Sequence, residues 1–94
     1  MYARVVRFTD VDRQRIEEMK NRIESGEDRP EGMPNATMRM FIDDSQGTAV
    51  VALFFESEED MRKGDEALNA VDSSDTPGTR ASVDQGEVLI ETDI

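Results

Sequence analysis

The stretch from Gly47 to Ser57, GTAVVALFFES, constrains the fold more than any other part of the chain. Its uncharged run opens at Thr48 and stops abruptly after Phe55, at Glu56 and Ser57. An apolar run of this length fits a strand covered on both faces better than one with a face in water. Alternation puts Val50, Ala52 and Phe54 on one side and Val51, Leu53 and Phe55 on the other. A strand apolar on both sides belongs in the middle of a sheet.

The flanking segments supply the rest of that sheet. Residues 2–8 (YARVVRF) predict a first strand, with Tyr2, Arg4, Val6 and Phe8 on one face and Ala3, Val5 and Arg7 on the other. Thr9 and Asp10 are N-cap candidates for a helix whose apolar residues Ile16, Met19 and Ile23 recur at helical spacing. Gly26 is placed to stop it. Residues 27–35, with Pro30, Gly32 and Pro34, read as a connector. Residues 36–42 predict a second strand, with Met38, Met40 and Ile42 on one face and Thr37, Arg39 and Phe41 on the other. A polar turn at residues 43–47 then leads into the central strand, and Gly47 suits the positive φ such a turn often needs.

Past the central strand, Ser57 and Asp60 imitate a capping box, and Glu58, Glu59 and Asp60 put negative charge where a helix dipole favours it. The second helix is expected to run to about Asp72, with Met61, Gly64, Leu68 and Val71 facing inward. Gly64 makes that helix about 1 kcal/mol less favourable than Ala would, which points to the close approach of a backbone or a ligand. After a loop at 73–79 containing Pro77 and Gly78, a last strand is expected at 80–92. Gly86 would permit a bulge there, and the apolar pattern resumes at Val88, Leu89 and Ile90.

The order strand, helix, strand, strand, helix, strand is the ferredoxin-like βαββαβ arrangement of an α+β domain spanning residues 1–94. It implies an antiparallel four-stranded sheet in spatial order 4-1-3-2 with both helices on one face. Two helices cover one side only, yet the strands are apolar on both. The side left over would be an aggregation hazard on a monomer. A second copy is therefore expected to cover it, sheet against sheet, in a two-fold homodimer.

Composition narrows the function. The chain has 94 residues and a formal charge of -11, from 22 acidic residues against 11 basic ones. That balance argues against nucleic acid and against anionic membrane surfaces as partners. With no Cys and no His there is no thiolate nucleophile, no zinc cluster and no Ser-His-Asp arrangement, and no metal or other cofactor is expected. The MYARVVRF start lacks the apolar core of a signal peptide, and no run approaches the length of a membrane span. A cytoplasmic protein is expected.

Gly32-Met33-Pro34, then Gly47-Thr48-Ala49-Val50-Val51, and above all Phe55-Glu56-Ser57-Glu58-Glu59 make the chain resemble the dimeric α/β-barrel superfamily. Within it, the resemblance is to the antibiotic biosynthesis monooxygenase-like branch, where Trp often stands at the position of Phe55. The resemblance covers nearly the whole chain and implies a homodimeric barrel. Haem-degrading members of the fold rely on a first-strand Asn, a Trp and a haem-ligating His, which this chain lacks. Quinone-forming members use neither metal nor flavin; a phenol or anthrone is deprotonated and gives an electron to dioxygen directly. Such a reaction asks for a dry pocket, a polar anchor and a proton acceptor.

The resemblance thus implies a small-molecule enzyme or binding protein acting on an apolar, aromatic or polyketide-like compound, and leaves a non-catalytic dimeric ligand-binding or interaction module as the alternative. Six residues are candidates for the site. Arg4 and Arg39 are cations on otherwise apolar strands, suited to anchor a carboxylate or phenolate, or else to pair with an acid such as Glu56, Glu87 or Glu91. Tyr2 can orient a substrate or simply pack. Asn35 can bond a substrate oxygen or satisfy the turn after Pro34. Phe55 and Met61, with Met38, Met40, Phe41 and Phe54, fit either a pocket for a flat molecule or ordinary core and dimer interface. No residue stands out as a catalytic base. Asp43 and Asp44 lack the spacing of a calcium loop and read as a solvated turn. A cavity of roughly 300 Å³ or more between helices and sheet would favour the ligand-binding reading.

Overall fold

The structure, a computed structural model, describes residues 1–26, 29–71 and 76–94. Its elements are β1 (Tyr2–Thr9), α1 (Arg13–Glu24), β2 (Thr37–Asp43), β3 (Thr48–Phe55), α2 (Glu58–Asn69) and β4 (Thr79–Glu87). The sheet has the order β2-β3-β1-β4, and every neighbouring pair is antiparallel. This is the ferredoxin-like βαββαβ arrangement, with the apolar run of β3 in the interior and β2 and β4 at the edges. No helix among the described residues is long and apolar enough to cross a membrane.

Register fixes the two faces. Tyr2, Arg4, Val6 and Phe8 lie opposite Phe55, Leu53, Val51 and Ala49 in turn, and Met38, Met40 and Ile42 continue the same face on β2. This is the face the helices cover. Leu53, Phe55 and Met61 form a buried cluster there, with Tyr2, Met33 and Leu68 packed against it. The other face carries Ala3, Val5 and Arg7, then Val50, Ala52 and Phe54, then Thr37, Arg39 and Phe41. No helix among the described residues packs over it, and Phe41 is 63% exposed.

The helix boundaries follow capping chemistry, with one shift from the sequence expectation. Neither Thr9 nor Asp10 caps α1. Asp10 takes a positive φ of 55° and turns the chain, the Val11 N–H donates to the Gly47 carbonyl, and Asp12 becomes the N-cap, accepting from the Gln14 N–H. At the far end Gly26, with φ 79°, takes up the left-handed position that ends a helix. Ser57 caps α2 as its sequence implies, its hydroxyl accepting from the Asp60 N–H at 3.1 Å. The helix closes with Ala70 as C-cap, short of the expected end near Asp72, which lies outside the described residues. The start of the 27–35 connector and residues 73–75 of the second loop lie outside them too.

β4 also departs from expectation. Arg7 pairs with Ser82 and Phe8 with Arg80, so the extra residue of the bulge is Ala81 and not Gly86. The strand ends at Glu87 although Val88, Leu89 and Ile90 continue an apolar pattern. Among the described residues it pairs with β1 alone, the paired register ends at Tyr2 opposite Glu87, and the Val88 N–H donates one further bond to the Met1 carbonyl. Leu89 and Ile90 are each 82% exposed.

Candidate functional site

Between α1, α2 and the helix-covered face lies a cleft of about 1250 Å³ that is partly open to solvent. Its existence follows from unequal docking of the two helices. α2 sits tightly because Gly64 has no side chain: a Cβ there would stand 2.6 Å from Cε1 and Cζ of the Phe55 ring. α1 is pinned instead at its first turn, where Arg13 grips Asp44 of the β2–β3 turn with an Nη2–Oδ2 distance of 2.6 Å. Farther along, Arg15, Met19 and Ile23, spaced by four, turn one stripe of α1 toward the cleft. The floor is Val6 and Phe8 of β1, Val51 and Leu53 of β3, and Met38 and Met40 of β2. Part of this apolar lining faces solvent: Met38 is 38% and Ile23 37% exposed.

A polar cluster closes one side. Arg4, 3% exposed, points from β1 toward α2. Its Nε donates to Asp65 Oδ1 at 2.8 Å and its Nη2 to Asn69 Oδ1 at 3.4 Å. Asn69 Nδ2 donates back along the helix to Asp65 Oδ2 at 3.2 Å, and the same Asn69 Oδ1 accepts from Arg80 Nη1 of β4 at 2.6 Å. No buried side-chain polar atom among the described residues lacks a partner. At another part of the rim Arg29 is fixed by donating to the Met33 carbonyl at 2.6 Å and to Asn35 Oδ1 at 3.4 Å. Arg4, Arg15, Arg29 and Arg80 all line the cleft, whereas Asp10 is the one carboxylate lining it among the described residues.

The six sequence candidates fall in different places. Arg4 lines the cleft. Tyr2, Phe55 and Met61 come together in the packed cluster under α2, where Phe55 is 1% exposed. The Tyr2 hydroxyl donates to Glu87 Oε2 at 3.3 Å, and the Glu87 carboxylate holds the phenol above its usual pKa, which keeps the proton on its oxygen. Asn35 sits exposed at the rim, holding Arg29. Arg39 is on the opposite face, beside Ala52. The acid that Arg4 pairs with is Asp65, not Glu56, Glu87 or Glu91.

Asp65, Asn69 and Arg80 were not singled out by the sequence reading. The available signal was weak: Asp65 and Asn69 are four apart on the flank of the inward stripe of α2, the spacing at which side chains meet. Asp43 and Asp44 are occupied by protein donors. Asp43 accepts from the Ser45 hydroxyl at 2.6 Å and from Gln46 Nε2 at 2.8 Å, and Asp44 accepts from Arg13. No group of three or more acidic residues among those described is placed to hold a metal ion. In comparisons with known proteins, no family model and no curated protein matches the chain.

Proposed function

We propose that the chain binds a small, largely apolar molecule in the cleft between the helices and the sheet, and does so as a homodimer. One observation carries this reading: a cleft above the usual 300–1,000 Å³ of ligand sites, floored by Met, Phe, Val and Leu, has a buried guanidinium, Arg4, in its wall. Methionine-rich floors adapt to flat or irregular bodies, and a few fixed polar groups on an apolar lining are what orient a ligand. A thermal-shift screen against phenolic, quinone and fused-ring aromatic compounds tests it. A ligand at 100 times its dissociation constant stabilises the native state by about 2.7 kcal/mol, and Met40→Trp, which fills the floor, abolishes the shift. If no compound raises Tm, or if Met40→Trp leaves the shifts unchanged, the reading fails.

The homodimer is supported by the far face of the sheet. Arg39, Ala52, Val5 and Asp84 stand in one row across β2, β3, β1 and β4. A two-fold axis along the strands between β1 and β3 sets Arg39 over Asp84 of the partner subunit and Ala52 over Val5 of the partner subunit. The same patch then complements itself, as a two-fold interface requires, with the charges at its edges and the apolar residues at its centre.

The resemblance to cofactor-independent monooxygenases adds an oxidative reading, in which a bound phenol or anthrone loses a proton and passes an electron to dioxygen. Asp10 favours it, being the carboxylate among the described residues of the lining, held on a strained left-handed backbone. Oxygen uptake with an anthrone is the assay. Asp10→Asn should retain binding and lose uptake; a wild-type protein that binds the anthrone and consumes no oxygen is a binding module.

A further inference from the structure

Resting on the cleft being a ligand site, we propose that its ligand is an amphipathic organic acid, a carboxylate on an apolar chain or ring body, whose acidic group sits between Arg4 and Arg80.

The charge distribution points there. The chain carries 22 acidic residues against 11 basic ones, so a surface feature taken at random should be acidic. Among the described residues the lining of the cleft is the reverse, with four of the nine arginines and one carboxylate, Asp10. Both lysines, Lys20 and Lys63, instead make i,i+4 pairs on exposed helix surface. Arg is the side chain that keeps its charge when desolvated and that matches a carboxylate with two parallel donors.

The local geometry says where the acid goes. Two guanidinium groups converge on a single neutral oxygen, Asn69 Oδ1, from β1 and from β4. Asp65 balances the charge of Arg4. Arg80 donates to the amide and forms no ion pair with a described residue, so the pair retains one positive charge beside an apolar floor. Phe8 lies opposite Arg80 in the β1–β4 ladder, and Val6 and Val51 follow along the same face. A carboxylate bridging the two guanidiniums would therefore lead an apolar body directly onto that floor. The last turn of α2 contains no basic residue, so Arg80 has a competing role, to serve the negative end of that helix. The two roles separate experimentally.

Isothermal titration with matched probes decides it: 2-naphthoate against 2-naphthalenemethanol, and decanoate against decanol. The expected result is that each acid binds about tenfold or more tightly than its alcohol, the worth of a charge-assisted contact. Arg80→Gln lowers acid affinity to about that of the matched alcohol and so removes the preference, while Arg62→Gln, on the exposed side of α2, leaves the preference intact. Acids and alcohols binding equally to wild type overturns the acid and leaves the cleft standing as a ligand site. No binding of any probe overturns both. Should Arg80→Gln lower Tm and keep the full preference for acids, Arg80 serves only the helix end and the assigned position is wrong. Arg4 is too deeply buried for its substitution to be informative without the Arg80 variant beside it.

Discussion

Substituting Gly64 by Ala sets two effects against each other, and the structure says which one wins. In an exposed helix interior the change stabilises by about 1 kcal/mol, because Ala loses less backbone freedom than Gly. Here the added methyl would stand 2.6 Å from two ring atoms of Phe55, with Met33 Cε 3.6 Å away on another side. Ordinary carbon contact begins near 3.5 Å, so the ring or the helix must move by roughly 1 Å. Phe55 is the largest fully buried side chain, held between Leu53 and Met61, and has nowhere to retreat. Overpacking of this kind costs about 1–3 kcal/mol, and the severity of the overlap places it in the upper half of that range. The net effect is a destabilisation of about 1–2 kcal/mol. For a domain of this size that lowers Tm by roughly 4–16 °C. Urea denaturation and a thermal scan of Gly64→Ala measure it. The decisive control is the same change in a Phe55→Leu background, where the distal ring atoms are gone and Ala should be neutral or stabilising, a coupling of about 1–3 kcal/mol. A Gly64→Ala protein as stable as wild type would refute the packing of α2 on Phe55. It would also undo the account of the site, since α2 delivers Asp65 and Asn69 to Arg4.

Three further outcomes follow from the same structure. Val51→Asp puts a carboxylate on the helix-covered face and should lower stability by about 2–4 kcal/mol; Val50→Asp faces the open side beside Arg7 and, on the proposal of a homodimer through that face, should instead dissociate it with little loss of monomer stability, as read by light scattering and urea titration, a wild type that is monomeric refuting that proposal. Ser57→Ala removes the hydroxyl that accepts from the Asp60 N–H, and should cost about 1 kcal/mol in urea denaturation. Asp43 and Asp44 are held below the usual aspartate range, Asp43 chiefly by the Ser45 hydroxyl and Asp44 chiefly by Arg13, so just below that range the unfolded chain binds more protons than the folded one. Their contribution is complete above the ordinary aspartate pKa and is lost as pH falls through the lowered values; Tm scans from pH 6 to pH 2.5 should therefore show a shallower acid loss for Asp43→Asn than for wild type, and parallel curves would contradict it.

What the sequence made legible was whatever depends on near neighbours in the chain. The two-sided run of β3, the Ser57 cap and the face assignments of Arg4, Met38 and Val50 all rest on local periodicity or on a single turn of backbone, and all appear as expected. The end of β4 failed because a strand needs a neighbour as well as a pattern: Val88, Leu89 and Ile90 have the residues, but β1 has already ended beside them. The α1 cap failed for a related reason, since Asp12 caps only because Val11 is first tied to Gly47, far away in sequence. Arg4 could be read as a cation among apolar residues. That Asp65 would be its partner depended on how α2 lies across β1, which no spacing within β1 encodes.

The cleft and the bare face of the sheet pose one problem between them. A chain of 94 residues has limited capacity for burial, yet this one leaves apolar side chains exposed on both sides of its sheet. On one side stand Met38 and Ile23, where α1 does not close down; on the other stands Phe41, where no helix lies. Their surroundings differ. The first lies in a concave site whose described lining holds four arginines and one carboxylate, Asp10, the setting in which a small acid was proposed above. The second lies on the open face, where the row Arg39, Ala52, Val5, Asp84 has opposite charges at its two edges and Arg7 stands in the next row on β1, an arrangement that lets the first row complement its own rotated copy. A concave site with an excess of cations is the kind that suits a small anion, whereas an open sheet face with both signs of charge is the kind that suits a subunit, which is why the two proposals divide as they do. The strong net negative charge is compatible with this division, because like-charged chains repel at long range and non-specific association through the exposed apolar surface is disfavoured.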